Sequence, residues 1–207
     1  HDSYEAWICQ KQWQQITHEE YDNLSLNDFP KVGDKYGELV KQDGTRIPVS
    51  YGAVLPFFHQ GRCKLRQEEL RYEGSIASGK SEDLEKYSLS LLNTPYLWGG
   101  RGPFGIDCSG FSQLMYRLIG HSIPRDAYQQ AEIGETVQFV DLVEKGDLVF
   151  FDNAEGRINH VGIVLEPGKV IHASGKIRFD KLDHQGLYAE DSKKYTHNLR
   201  IIKRLLT

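Results

Sequence analysis

One junction constrains this chain more than any other: a glycine-rich loop runs into an amphipathic segment, with a cysteine at the seam. Pro95-Tyr96-Leu97-Trp98-Gly99-Gly100, with Gly102 and Gly105 beyond it, leads into Asp107-Cys108-Ser109-Gly110-Phe111. Phe111, Leu114, Met115, Leu118 and Ile119 then recur at i, i+3, i+4, i+7 and i+8, the stripe of a half-buried helix. Cys108 is therefore expected in the first turn of a helix. Unpaired backbone N–H groups and the positive end of the dipole there favour thiolate over thiol. A cysteine ahead of an apolar stripe also suits a small buried hydrophobe, so its company decides.

Two β-type runs supply that company. Asn159-His160-Val161-Gly162-Ile163-Val164 and Lys169-Val170-Ile171-His172-Ala173-Ser174 each carry a histidine, and Pro167-Gly168 between them marks a turn. The two runs read as a hairpin. A cysteine nucleophile needs a base within hydrogen-bond reach and a third group that holds the base in one tautomer. Cys108, His160 and His172 fill those three roles. Strand side chains alternate, so the histidines share a face only across a loop of odd length or with a bulge in the ladder. The reading calls for a loop of about three or five residues around Glu166 to Lys169. His121, His184 and His197 lie outside any motif and are expected at the solvated surface, while Cys9 and Cys63 read as structural.

The N-terminal stretch reads differently. Between Lys31 and Ser75, short β-type runs alternate with turns: Tyr36 to Val40, Gln42-Asp43-Gly44, Arg46 to Ser50, then Val54 to Phe58 and His59-Gln60-Gly61. The polar stretch Gly79-Lys80-Ser81-Glu82-Asp83 predicts a boundary before a helix over Leu84 to Leu92, with Ser81 as its N-cap. A net charge of −4, from 25 basic and 29 acidic residues, disfavours nucleic acid as a partner. No apolar run approaches the length of a membrane-spanning helix. C-x-x-C and Cys/His zinc spacings are absent, which argues against a structural metal.

Six motifs stand in order along the second part of the chain. They are Tyr-x-Trp-Gly-Gly at Tyr96 to Gly100, Asp-Cys-Ser-Gly-Phe at Asp107 to Phe111, and Ile-Pro-Arg at Ile123 to Arg125. Gly-Asp-Leu-Val-Phe-Phe follows at Gly146 to Phe151, His-Val-Gly-Ile at His160 to Ile163, and Ile-His-Ala-Ser at Ile171 to Ser174. This set resembles the NlpC/P60 cysteine peptidases over roughly residues 82–207. The resemblance implies an α+β fold with a papain-like catalytic domain at 81–207, its helix-borne cysteine packed against an antiparallel sheet that carries both histidines. A small all-β, SH3-like region at 1–80 precedes it, suggested by Val49 to Pro56 and by Asp2-Ser3-Tyr4-Glu5-Ala6-Trp7-Ile8. The latter resembles the last strand of such modules, with Ser3 and Ala6 where glycines are usual. On that reading the chain begins inside a domain whose upstream residues lie elsewhere.

The chemistry implied by the resemblance is acyl transfer from an amide to water. Cys108 attacks the carbonyl, His160 takes and returns the proton, and His172 orients His160. The Cys108 N–H and the Tyr96 hydroxyl are candidates for the oxyanion. Trp98 reads equally as a packing residue under the glycine loop. Implied substrates are peptidoglycan-derived peptides cut between γ-D-glutamate and the following L-diamino acid, in some members only with a free N-terminal L-alanine. Asp107 and Ser109 match positions that bind that ammonium, and Tyr4 matches a tyrosine that narrows the cleft. Asp107 and Ser109 equally suit a helix cap and a first-turn acceptor. Tyr4 and Trp7 equally suit alternating strand aromatics. Arg125 matches an arginine that contacts the D-glutamate carboxylate or braces its loop, and Ala127 stands where relatives carry Ser or Thr. No cofactor is implied, and the setting is bacterial, periplasmic or secreted. Two other readings stay open: an acyltransferase, which shares the acyl-enzyme, and a cell-wall binding module with a silent catalytic domain.

Overall fold

Short strands broken by turns build one unit of the chain, His1–Ala77, and a longer strand series packed on a central helix builds the other, Ser78–Thr207. The computed structural model describes residues 7–25 and 28–206. Tyr4 and the rest of Asp2 to Ala6 lie outside the described residues, and Trp7 and Ile8 are exposed and belong to no strand.

In the first unit a 3₁₀ turn at Gln10–Gln12 is followed by helix α1, His18–Ser25. Thr17 and Glu20 form a capping box: the Glu20 N–H donates to Thr17 Oγ1 at 3.1 Å, and the Thr17 N–H donates to Glu20 Oε2 at 2.8 Å. Four strands follow, β1 Gly37–Val40, β2 Arg46–Val49, β3 Arg62–Leu65 and β4 Glu68–Arg71, in the antiparallel order β2-β1-β4-β3. Their small core gathers Val32, Leu55, Cys63, Leu70 and Tyr72. The run Val54 to Phe58, expected as a strand, is a loop with one bridge from Val54 to Lys31. Pro56 has no N–H for a ladder and Phe57 sits at φ 53°, which together rule out regular pairing.

The second unit starts with a 3₁₀ turn at Ser81–Asp83 that enters helix α2, Leu84–Ser90. Ser81 lies inside that turn, and no side chain caps either element, so the expected N-cap is not formed. After the two-residue strands β5 Arg101–Gly102 and β6 Gly105–Ile106 comes helix α3, Cys108–Leu118, in which Arg117 is the one residue not buried. Phe111, Leu114, Met115 and Leu118 are buried as the stripe predicted. Each contributes about 1.5–3 kcal/mol by leaving water. Short helix α4, Ala127–Gln130, and strand β7, Glu135–Thr136, lead to the main sheet.

Six strands in chain order make that sheet: β8 Leu148–Asp152, β9 Ile158–Glu166, β10 Lys169–Ser174, β11 Lys176–Leu182, β12 Gly186–Ala189 and β13 Lys194–Arg204. Each pairs antiparallel with the next, and β13 pairs with both β12 and β8, so the six close into a ring, with β7 added on β13. One apolar cluster draws Val149, Phe151, Val164, Val170, Leu182, Leu187 and Ile202 from all six strands, which defines the inner face. The fold is thus mixed helix and sheet with a small all-β region ahead of it, and the sheet is a closed ring rather than an open layer.

Candidate active site

Cys108 is the first residue of α3, directly after the N-cap. Asp107 performs the capping: its Oδ1 accepts from the Gly110 N–H at 2.6 Å and its Oδ2 from the Gly99 N–H at 2.8 Å. The Arg125 guanidinium grips the same carboxylate in bidentate fashion, at 3.0 Å to Oδ1 and 2.6 Å to Oδ2. It also donates to Ser109 Oγ at 2.9 Å. Gln130, fully buried, donates to the Ser109 and Pro124 carbonyls at 3.1 and 2.8 Å, tying the Arg125 loop to the first turn of α3. Gly110 is required by this crowding, because a Cβ there would lie 2.4 Å from the Gly100 oxygen and 2.8 Å from Asp107 Oδ1.

The histidines reach one face by a route other than the expected loop. Pro167 and Gly168 alone connect β9 to β10, which by itself would put the two side chains on opposite faces. Lys169 pairs with Glu166 but Val170 with Val164, so Leu165 is an extra residue that shifts the register. His172 then faces Gly162, and His160, two residues along, shares its face. Gly162 makes the space: a Cβ there would meet Val170 Cγ1 at 2.4 Å and His172 Cβ at 3.2 Å.

A continuous hydrogen-bonded line results. His160 Nε2 lies 2.8 Å from His172 Nδ1, and His172 Nε2 lies 3.0 Å from Asp180 Oδ2. Arg178 donates to Asp180 Oδ1 through Nε at 3.1 Å and Nη2 at 2.7 Å, and its Nη1 reaches Asp191 at 2.8 Å. A carboxylate paired with a guanidinium only accepts, so the His172 Nε2–H points at Asp180. The bare His172 Nδ1 must then accept from the His160 Nε2–H. That leaves His160 Nδ1 with a free lone pair.

Asp180 is the functional candidate that the sequence reading missed. It stands two residues from inward-facing Leu182 in β11, a charged residue at the alternation position of a buried side chain. His197, expected at the solvated surface, instead stacks on His160 with ring centroids 4.1 Å apart and planes 23° apart. β13 changes partner at Asn198, which pairs with Gly186 of β12 and Asp152 of β8, and this brings His197 over His160. His121 and His184 are exposed as expected. Cys63 lies in the first unit's core, whereas Cys9 is exposed and so is not structural. Trp98 is 85 % exposed and packs under nothing. Tyr96 is half-buried, its backbone N–H donating to the Gly175 carbonyl at 2.9 Å.

Electrostatics favour a neutral resting pair. Burial, and the Asp107 charge after it, push the Cys108 thiol up, against opposing backbone N–H groups of Val161, Ser109 and Cys108 itself. The thiolate expected from the helix terminus alone is therefore disfavoured, because Cys108 is only 7 % exposed. Burial, then His172 and His197, hold His160 well below the ordinary imidazole value. The Cys108 sulfur lies 4.0 Å from the Asn159 carbonyl oxygen, and no hydrogen bond joins it to His160 among the described residues. Burial and the charges of Cys108 and Asp107 raise the Tyr96 phenol.

Comparison with known proteins places this geometry. The pattern that defines the NlpC/P60 family matches residues 93–198. Gamma-D-glutamyl-L-lysine dipeptidyl-peptidase of Bacillus subtilis (strain 168) is 44 % identical over 149 residues, covering 71 % of this chain and 42 % of the relative. The protein of that name from Bacillus cereus (strain ATCC 10987 / NRS 248) is 33 % identical over 151 residues, covering 68 % and 44 %. This chain thus spans under half the length of either relative. A crystal structure of an NlpC/P60 family protein from Bacillus cereus ATCC 10987 superposes with a TM-score of 0.74 at 25 % identity, over 92 % of this chain and 67 % of that one. By motif order, fold and sequence identity, the chain belongs to the NlpC/P60 family.

Proposed function

We propose that this chain is a cysteine peptidase that hydrolyses peptidoglycan-derived peptides at the bond between γ-D-glutamate and an L-diamino acid. The observation that carries the reading is the Asp180–His172–His160 line, which leaves His160 Nδ1 bare on the strand whose Asn159 carbonyl touches the Cys108 sulfur. His160 Nδ1 takes the thiol proton as the sulfur attacks the amide carbon. The Cys108 N–H, with the Tyr96 hydroxyl, receives the oxyanion. The C–N bond then breaks as His160 returns the proton to the leaving amine, and water releases the thioester by the same steps in reverse. The imidazolium formed at His160 is stabilised through His172 by the Asp180 carboxylate, so His172 transmits charge as well as orienting. The hydrogen bond from Cys108 to His160 forms on substrate binding, as such contacts often tighten only in the loaded site.

Asp107 and Ser109 are the proposed receivers of a free N-terminal ammonium. Arg125 already neutralises Asp107, so an ammonium there shares its carboxylate rather than meeting a bare charge. A requirement for a free amine thus rests on more than Asp107 alone. The four-stranded antiparallel sheet of the N-terminal unit supports an SH3-like reading, and the Tyr4 role implied by the resemblance belongs to the same proposal. The names of the Bacillus relatives support the bond specificity, and action in the periplasm or outside the cell follows from such a substrate.

A digest of L-Ala-γ-D-Glu-L-Lys and its N-acetylated twin tests the proposal, with Cys108→Ala as control. Release of L-Ala-γ-D-Glu from the free peptide alone is the expected result. Cleavage of both keeps the peptidase and removes the free-amine requirement. Cleavage of neither, with Cys108 still alkylated by iodoacetamide, overturns the peptidase in favour of an acyltransferase or a binding module.

A further inference from the structure

Three histidines from three strands converge at one end of the sheet ring: His160 of β9, His172 of β10 and His197 of β13. Their available ring nitrogens all lie within 4.8 Å of one another, and no other trio of His, Cys, Asp or Glu does so among the described residues. The far nitrogens of two are already held. His172 Nε2 donates to Asp180 at 3.0 Å, and His197 Nδ1 lies 2.8 Å from Thr196 Oγ1. Carboxylate and hydroxyl partners behind ligating imidazoles are the usual outer support of a metal site, because they orient the ring and raise the basicity of its other nitrogen. His160 Nε2 and His172 Nδ1, which hydrogen-bond each other at 2.8 Å, and His197 Nε2 are the nitrogens these partners leave for a ligand.

We propose that His160, His172 and His197 bind a divalent transition-metal ion of the Zn2+ class, and that the bound ion switches off His160 as a base. Three neutral imidazoles suit such an ion, which leaves a fourth position open to water. Ligands at about 2.0–2.1 Å require nitrogen separations of about 3.3 Å in tetrahedral geometry. The 2.8 Å His160–His172 pair must open by about half an ångström, and His197, which stacks on His160 with planes 23° apart, must turn out of the stack so that its Nε2 lone pair points at the ion. His160 and His172 are buried while His197 is half-exposed, so the ion comes in past His197.

His160 carries its proton on Nε2 when it donates to His172. Coordination through Nε2 displaces that proton, which moves to Nδ1 through solvent, and His172 and His197 keep theirs on Nε2 and Nδ1. An Nδ1–H cannot accept the Cys108 proton, so the metal-bound protein is inactive without any contact to the sulfur. The blocking effect rests on the peptidase reading; the binding itself does not.

Zn2+ is titrated calorimetrically into Cys108→Ala protein, which has no active-site thiol, and into the Cys108→Ala/His197→Phe double variant, in which Phe keeps a ring stacked on His160. Cys9 and Cys63 are common to both and cancel in the comparison. One ion per chain is expected for the first, with affinity at least tenfold weaker in the second. Equal affinity in the two, or no binding to the first, overturns the site. If His197→Phe fails to fold by circular dichroism, His197→Gln replaces it with the same expected loss. Inhibition of the Cys108-containing protein by Zn2+ is then expected to weaken at least tenfold on His197→Phe. Equal inhibition, with binding still dependent on residue 197, retains the site but overturns the blocking role.

Discussion

The two units hold their interiors together in opposite ways. Apart from the Tyr72 hydroxyl, the described core of the first unit is apolar: Val32, Leu55, Cys63, Leu70 and Tyr72 under four short strands. Every buried polar or charged side chain among the described residues, from Ser88 through Asp107, Gln130 and His160 to Asp180, belongs to the second. Burying such groups costs free energy unless each finds a partner, and none of their side-chain atoms among the described residues is left without one. The second unit can carry that load because its ring of strands and its central helix bury a much larger apolar surface. Stability by exclusion of water suffices for the first unit. Chemistry demands satisfied polar groups in a dry place, and the second is built around them.

The largest effect that sharpens this contrast is expected from Cys108→Ala. Hydrolysis of L-Ala-γ-D-Glu-L-Lys should fall by about four orders of magnitude or more, with the melting transition unchanged. In the first unit the sensitive property is stability. Leu55→Ala is expected to cost about 2–5 kcal/mol in denaturant melts, through lost burial and the cavity left behind. A cost below that range would mean that this small core collapses around the gap, and the contrast between the units would blur.

Asp180→Asn keeps an acceptor for His172 but removes the charge behind it. A fall in kcat of about 10–100-fold with KM little changed is expected from steady-state kinetics. An unchanged kcat would reduce the buried line to a structural network and break the comparison. The smallest effect concerns acid. His197 is held down to about 4 in the folded protein against 6.5 unperturbed, by burial first and by His172 next. Between those values the unfolded chain binds the extra proton, so stability falls as pH drops from 6.5 toward 4. His160 acts in the same direction. Thermal melts of wild type and His197→Phe over that interval should show the variant losing less. Parallel curves would show that the His197 ring pays no such acid cost.

Much of the candidate site was legible because local rules place it. The stripe from Phe111 to Ile119 predicted α3 and Asp107 was readable as its cap, whereas the need for Gly110 comes only from the folded crowding against Gly100 and Asp107. The hairpin was visible from Pro167-Gly168, yet its register was not. A two-residue loop with a bulge at Leu165 gives the same parity as an odd loop, and no residue type announces it. The Thr17 to Glu20 capping box obeys the same local rules, whereas the β-like run Val54 to Phe58 is kept out of the sheet by Pro56 and the positive φ of Phe57.

The sequence by itself determined that Cys108 opens a helix and that His160 and His172 stand on the two strands of one hairpin, because each placement depends on neighbours within a few residues. The tertiary structure alone decided that Asp180 ends the line, that His197 lies on His160, and that burial pushes the Cys108 thiol up. Those three facts depend on how strands far apart in the chain close into a ring, and on the burial this closure creates. At Cys108 the field of one helix is local, but the desolvation that opposes it is imposed by the rest of the fold.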